Sequence, residues 1–161
     1  MVLLLLGAPC AFASALGVFD KHGLRTTVPA GWWATDRRMG SGVEPLFRFT
    51  VSDRRLVRTM RDSGPCYGGI ARQIQPRGVV AILREAVGSD YRPARFKQRP
   101  RQFRLPARQP GQDNSCLGDH ATEIIFKDAG RGFYLWIAAG RAAPRHKVAT
   151  LLALLNRLTI R

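Results

Sequence analysis

The sequence predicts an α+β domain whose C-terminal third is a strand hairpin followed by an amphipathic helix packed on a sheet. Three observations carry that prediction. Residues 122–127 and 133–138 read as strands on either side of the turn Asp128-Ala129-Gly130-Arg131-Gly132. Val148, Leu151, Leu152, Leu155 and Leu158 fall at i, i+3, i+4, i+7 and i+10, one stripe of a helix. Upstream, Leu46-Phe47-Arg48-Phe49-Thr50-Val51 alternates as a half-buried strand does, and 79–83 is continuously apolar, as a buried strand is.

In chain order, residues 2–19 form one apolar run that contains Ala13-Ser14-Ala15, a small-x-small tripeptide of the kind signal peptidase accepts. Residues 1–15 are therefore read as a secretory signal peptide and 16–161 as a single exported domain. Nothing basic precedes Leu3, and Lys21 and Arg25 lie on the far side of the run. Either the true start lies upstream of Met1 and the signal is truncated, or residues 2–19 are a membrane anchor. The signal is preferred, because a span needs roughly 20 apolar residues and Pro9 sits in the middle of this run.

Residues 24–28 alternate weakly and stop at Pro29-Ala30-Gly31, a short strand entering a turn, with Trp32-Trp33 beyond it. Residues 69–75 fit a short helix before Pro76. The segment 92–108 carries Pro93, Pro100 and Pro106 and reads as an extended connection with a short strand at 102–105. Residues 133–138 are apolar on both faces, which suits a central strand covered on both sides. Pro144 suits the first turn of the last helix, and Arg157 its final turn, where a cation favours the dipole. Phe126, Leu135, Ile137, Leu151, Leu152 and Leu155 are the expected core of this part.

Cys10 lies in the leader, which leaves Cys66 and Cys116. An even pair in an exported chain is expected to form a disulfide, and both sit in turn-rich sequence. The alternative is two unrelated buried thiols. Closing a loop of about fifty residues stabilises a fold by roughly 4 kcal/mol through the entropy of the unfolded chain.

The chain has 26 basic and 11 acidic residues, a net charge of +15. Its only lysines are Lys21, Lys97, Lys127 and Lys147. A GC-rich genome accounts for that preference for arginine, but not for the sign of the net charge. Hydrophobic residues make up 45% of the sequence, which argues against wholesale disorder and for one ordinary core.

The opening Val28-Pro29-Ala30-Gly31-Trp32, the closing Phe126-Lys127-Asp128-Ala129-Gly130-Arg131-Gly132-Phe133 and the Leu-rich terminal helix resemble PsbP-like domains. The chain also resembles small secreted proteins of unknown function from high-GC bacteria with two cysteines at similar places. The likeness covers roughly residues 24–161. It implies an antiparallel sheet flanked by helices, a PsbP-like sandwich, and a non-catalytic binding or assembly role. It carries over no functional residue.

No catalytic constellation is legible, and neither a cofactor nor a metal is expected. His22, His120 and His146 are far apart in sequence. Asp113, Cys116, Asp119 and His120 have metal-ligand spacing, but a polar loop around a bridged cysteine explains them as well. Trp32 and Trp33, if exposed together, would form a platform for a sugar ring; more often one such ring anchors the core while the other half-covers its rim.

The feature with functional weight is a basic strip. Arg92, Arg95, Lys97, Arg99, Arg101, Arg104 and Arg108 lie within seventeen residues, Phe96 and Phe103 interleave them, and no acid occurs between Asp90 and Asp113. Arginine forks match phosphate geometry, so the strip is a candidate anion-binding face for anionic lipid head groups or an anionic wall polymer. Nucleic acid is disfavoured as a partner outside the cytoplasm, and no protein partner is legible. The alternative is a solvated arginine-rich loop. Two classes of function follow: an exported non-enzymatic domain that binds a cell-surface component or assembly partner, or a small extracytoplasmic enzyme whose site sequence does not reveal.

Overall fold

The computed structural model describes residues 16–39, 45–58, 67–107 and 120–161. The signal peptide read at 1–15 lies outside them, as do Cys10, the bridge expected between Cys66 and Cys116, and Arg108 at the end of the basic strip. No helix among the described residues is long and apolar enough to cross a membrane.

Two sheets and two α-helices, with single 3-10 turns at Gly88–Asp90 and Pro93–Arg95, make up the described fold. In chain order they are β1 (Gly17–Lys21), β2 (Leu24–Val28), β3 (Trp33–Thr35), β4 (Leu46–Ser52), α1 (Gly68–Gln73), β5 (Val79–Ala86), β6 (Lys97–Gln98), β7 (Ala121–Asp128), β8 (Arg131–Ala139), α2 (Arg145–Asn156) and β9 (Thr159–Ile160). The larger sheet runs β3-β4-β5-β8-β7-β6, and the smaller runs β1-β2-β9. This is a mixed α+β fold.

The centre of the large sheet follows from its apolar runs. Along β5 and β8, alternate side chains point to opposite faces, so a run without polar interruptions must be covered twice. Val79, Ala81 and Leu83, with Phe133, Leu135 and Ile137, face α2 through Leu151, Leu154 and Leu155. Val80, Ile82, Trp136 and Ala138 face the other way, onto Tyr67, Ile70 and Ile74 in and around α1. The small sheet shares the α2 side: Leu24 and Val28 of β2 turn inward, as does Phe19 of β1, whose ring lies 4.6 Å from that of Phe49.

Both tight hairpins rest on the same backbone device. His22-Gly23 joins β1 to β2 and Ala129-Gly130 joins β7 to β8, and all four residues have positive φ, between 49° and 75°. Two-residue loops with both central residues in the left-handed region match the twist of the flanking strands, and a glycine in the second position lowers the strain. The turn read at 128–132 is thus only two residues long, because Asp128 and Arg131 already pair.

Four expectations change. The sheet is not wholly antiparallel, since β6 pairs with β7 in parallel. The strand expected at 102–105 lies instead at Lys97–Gln98. Arg99 donates one more bond to the Lys127 carbonyl; then Pro100, which has no N–H, follows and β7 runs out at Asp128. Residues 17–19, read as the end of the apolar run, belong to β1. In α2 it is Leu154 that is enclosed beside Leu151 and Leu155, while Leu152 is only half-buried. Leu152 stands about 100° around the helix from Leu151, outside the stripe, and Leu154 is nearer to it. The other five expected core residues, Phe126, Leu135, Ile137, Leu151 and Leu155, are buried to 1% exposure or less.

Candidate functional site

The basic strip is an edge of the large sheet pinned by aromatic anchors. Phe96 and Phe103 are buried, and the arginines and lysine between and beside them, Arg99 excepted, point outward. Phe96 sits 5.5 Å from Tyr134 and 5.4 Å from Tyr91, ring to ring. Tyr91 in turn lies over Gly132 so closely that a Cβ there would come within 2.6 Å of its ring. Its hydroxyl donates to the Gly130 carbonyl at 3.1 Å. Downstream, the Phe103 N–H donates to Asn156 Oδ1 at 2.7 Å, and the Phe103 ring lies 5.3 Å from that of Phe126. The interleaving of phenylalanine with arginine thus has a mechanical meaning: the rings hold the segment down while the cations face water.

Arg92, Arg95, Lys97, Arg101 and Arg104 are exposed. None has a side-chain partner among the described residues. Arg99 differs. Its guanidinium donates to Asp128 Oδ2 at 2.9 Å and to the Leu155 carbonyl at 3.0 Å, and it covers the Phe103 ring at 5.3 Å. Arg99 is therefore a strut between strip, hairpin and α2, not a member of the free set. Nothing in the local sequence distinguishes it from Arg101, because its partners are remote along the chain.

Elsewhere arginines are closed into the fold. Glu85 on β5 is 8% exposed and takes a side-on fork from Arg131, at 2.7 and 2.9 Å, and a bond from Arg48 at 2.6 Å. Burial pushes the Glu85 carboxyl up, but the bonds from Arg131 and Arg48 outweigh it and hold the group below the usual carboxylate range. Asp53 repeats the pattern. Burial raises it, while Lys147, the Val79 N–H and Arg54 bring it below its ordinary value. Asp36 is lowered in the same sense, its modest desolvation outweighed by Lys21 and His22. Burial also pushes the Tyr67 hydroxyl up, so it stays protonated.

Trp32 and Trp33 do not form a platform. Successive residues entering β3 point to opposite faces, so Trp32 packs against the α2-side core and Trp33 against the α1-side core. Of the loop with metal-ligand spacing only His120 is described; its Nε2 donates to the Pro106 carbonyl at 3.0 Å. Asp113, Cys116 and Asp119 lie outside the described residues.

One site escaped the sequence. Between β3 and residues 55–58 lies a cleft of about 810 Å³ whose lining includes Trp33, Met39 and Leu56 below and Arg37, Arg38, Arg55 and Arg58 around it. The two arginine groups are far apart along the chain and meet because β3 pairs with β4, Trp33 opposite Ser52 and Thr35 opposite Thr50. Doubled arginines flanking two strand-like runs were the only sequence signal.

Comparison with protein-family models, with curated proteins and with solved structures gives no match.

Proposed function

We propose that this chain is an exported, non-enzymatic binding domain that holds an anionic cell-surface component, such as anionic lipid head groups or a wall polymer, along its basic strip. The observation that carries this reading is the set of five exposed cations, Arg92, Arg95, Lys97, Arg101 and Arg104, which have no side-chain partner among the described residues. They sit on a segment fixed by Phe96 and Phe103, so a polyanion meets an ordered row of charge and little ordering is required on binding. Its place outside the cytoplasm rests on the apolar leader.

The non-enzymatic part of the reading is supported by the carboxylates. Asp36, Asp53 and Glu85 are each held ionised by cations, the reverse of an acid tuned to exchange a proton near neutral pH. The PsbP-like reading is supported by β2 entering the turn at Pro29, by the β7–β8 hairpin and by α2 lying on the sheet.

Replacing Arg92, Arg95, Lys97, Arg101 and Arg104 together by Ser tests the strip. Retention of the parent chain on vesicles containing anionic lipid, or on anionic wall polymer, should fall steeply between about 50 and about 500 mM salt, and the variant should be retained weakly throughout. Retention that ignores both salt and the five substitutions would refute the proposal.

A further inference from the structure

We propose that the cleft between β3 and residues 55–58 is a second, independent site, and that it takes a small molecule combining a planar apolar ring system with a phosphate group. Its volume, about 810 Å³, lies within the range of roughly 300–1,000 Å³ that small-molecule sites occupy. Met39 and Leu56 in its floor are buried, and with Trp33 they continue into the core on the α1 side. That floor suits an apolar ring, for which Trp33 offers a stacking partner.

The rim decides the charge of the ligand. Arg37, Arg38, Arg55 and Arg58 line the cleft, and among the described residues no carboxylate does. Among the described residues, the acids nearest in sequence are engaged elsewhere: Asp36 with Lys21 and His22, Asp53 with Lys147 and Arg54. Arg37, Arg55 and Arg58 have no side-chain partner among the described residues. Gathering like charges in one concavity costs free energy unless an anion neutralises them, and a concave wall focuses their field. A phosphate, which carries up to two negative charges and three acceptor oxygens, suits several guanidinium forks better than a single carboxylate does.

The walls are tied in place. Gln73 of α1 clamps the backbone of Val57 from both sides, its Oε1 accepting from the Val57 N–H at 2.7 Å and its Nε2 donating to the Val57 carbonyl at 2.8 Å. On the opposite wall the Arg37 N–H donates to Thr35 Oγ1 at 3.1 Å, which fixes the turn out of β3. The arginines therefore converge on a formed concavity.

Calorimetric titration with 2-naphthyl phosphate, 2-naphthol and inorganic phosphate tests the site. The ring-phosphate compound should bind one to one and at least tenfold more tightly than either of its parts. Arg37→Gln with Arg55→Gln and Arg58→Gln, exposed changes that leave the melting temperature unaltered, should weaken it at least tenfold. The five-Ser variant of the strip should bind it as the parent does, which separates this site from the strip. Absence of binding, equal binding of inorganic phosphate alone, or loss in the strip variant with retention in the Gln variant would each overturn the proposal.

Discussion

The arginines around Glu85 and those along residues 92–104 are the same side chain put to opposite uses. Arg48 and Arg131 converge on one carboxylate in a half-dry pocket, and Arg131 also lies 5.1 Å over the Phe133 ring and donates to the Arg161 carbonyl. Arg92, Arg95, Arg101 and Arg104 stand in solvent, anchored only through their neighbours. The difference is set by the supply of acid. Among the described residues every acid except Asp90 sits in an ion pair: Asp20, Asp36, Asp53, Glu85, Glu123 and Asp128. The surplus of base is left over by construction, and the fold decides where it stands. Much of it stands on one edge and around one cleft, and the rest, such as Arg77, Arg141 and Arg145, is exposed elsewhere on the surface.

Substitution of the two sets should separate them sharply. Glu85→Ala leaves Arg48 and Arg131 facing each other across a poorly solvated space and should cost about 3–5 kcal/mol in denaturant unfolding. That is a large fraction of the stability of a domain this size. The five-Ser variant of the strip, by contrast, should stay within about 0.5 kcal/mol of the parent per residue changed. A strip variant that unfolds as readily as Glu85→Ala would erase the distinction.

Arg99 sharpens the comparison from inside the strip. Arg99→Ser removes charge-assisted bonds to Asp128 and to the Leu155 carbonyl and should cost about 1.5–3 kcal/mol, whereas Arg101→Ser, two residues on, should be near neutral. Thermal melts of the two variants side by side give the answer.

Acid should reach the closed set first. The Glu85 carboxyl is lower in the folded chain than its ordinary value of 4.5, so below that pH the unfolded chain takes up more protons than the folded one. The stability it contributes is complete above about pH 4.5 and is lost as pH falls through the lowered folded value. Glu85→Gln should flatten the decline in stability between neutral and acid pH, measured by urea unfolding at each pH. An unchanged decline would move the acid sensitivity to Asp53 and Asp36, which titrate in the same sense.

Much of this fold was legible because its central strands and terminal helix announce themselves by period. Val79 to Leu83 and Phe133 to Ala138 admit hardly any reading but covered strands, and the Leu-rich stripe fixes α2 to within one misplaced leucine. What was missed is short or remote. β3, β6 and β9 have two or three residues each, too few for any periodicity to register. β1 was hidden because Val18 and Phe19 complete an apolar run that reads naturally as leader. The strip was legible as composition, but its one strut was not, since Arg99 is defined by Asp128 and α2. The cleft was less legible still: its arginines become neighbours only through strand pairing.

The brevity of β6 has a consequence for how copies of this chain meet. A sheet edge with free N–H and C=O groups is a template for another strand, and proteins that stay separate blunt such edges with short strands, proline and charge. β6 does all three, with two paired residues, Pro100 directly after Arg99, and Arg95, Lys97 and Arg101 standing outward. At the other edge β3 is only three residues long. Two molecules approaching edge to edge would bring like charges together before any hydrogen bond could form, so the charge suited to attract a polyanion also keeps this sheet from growing.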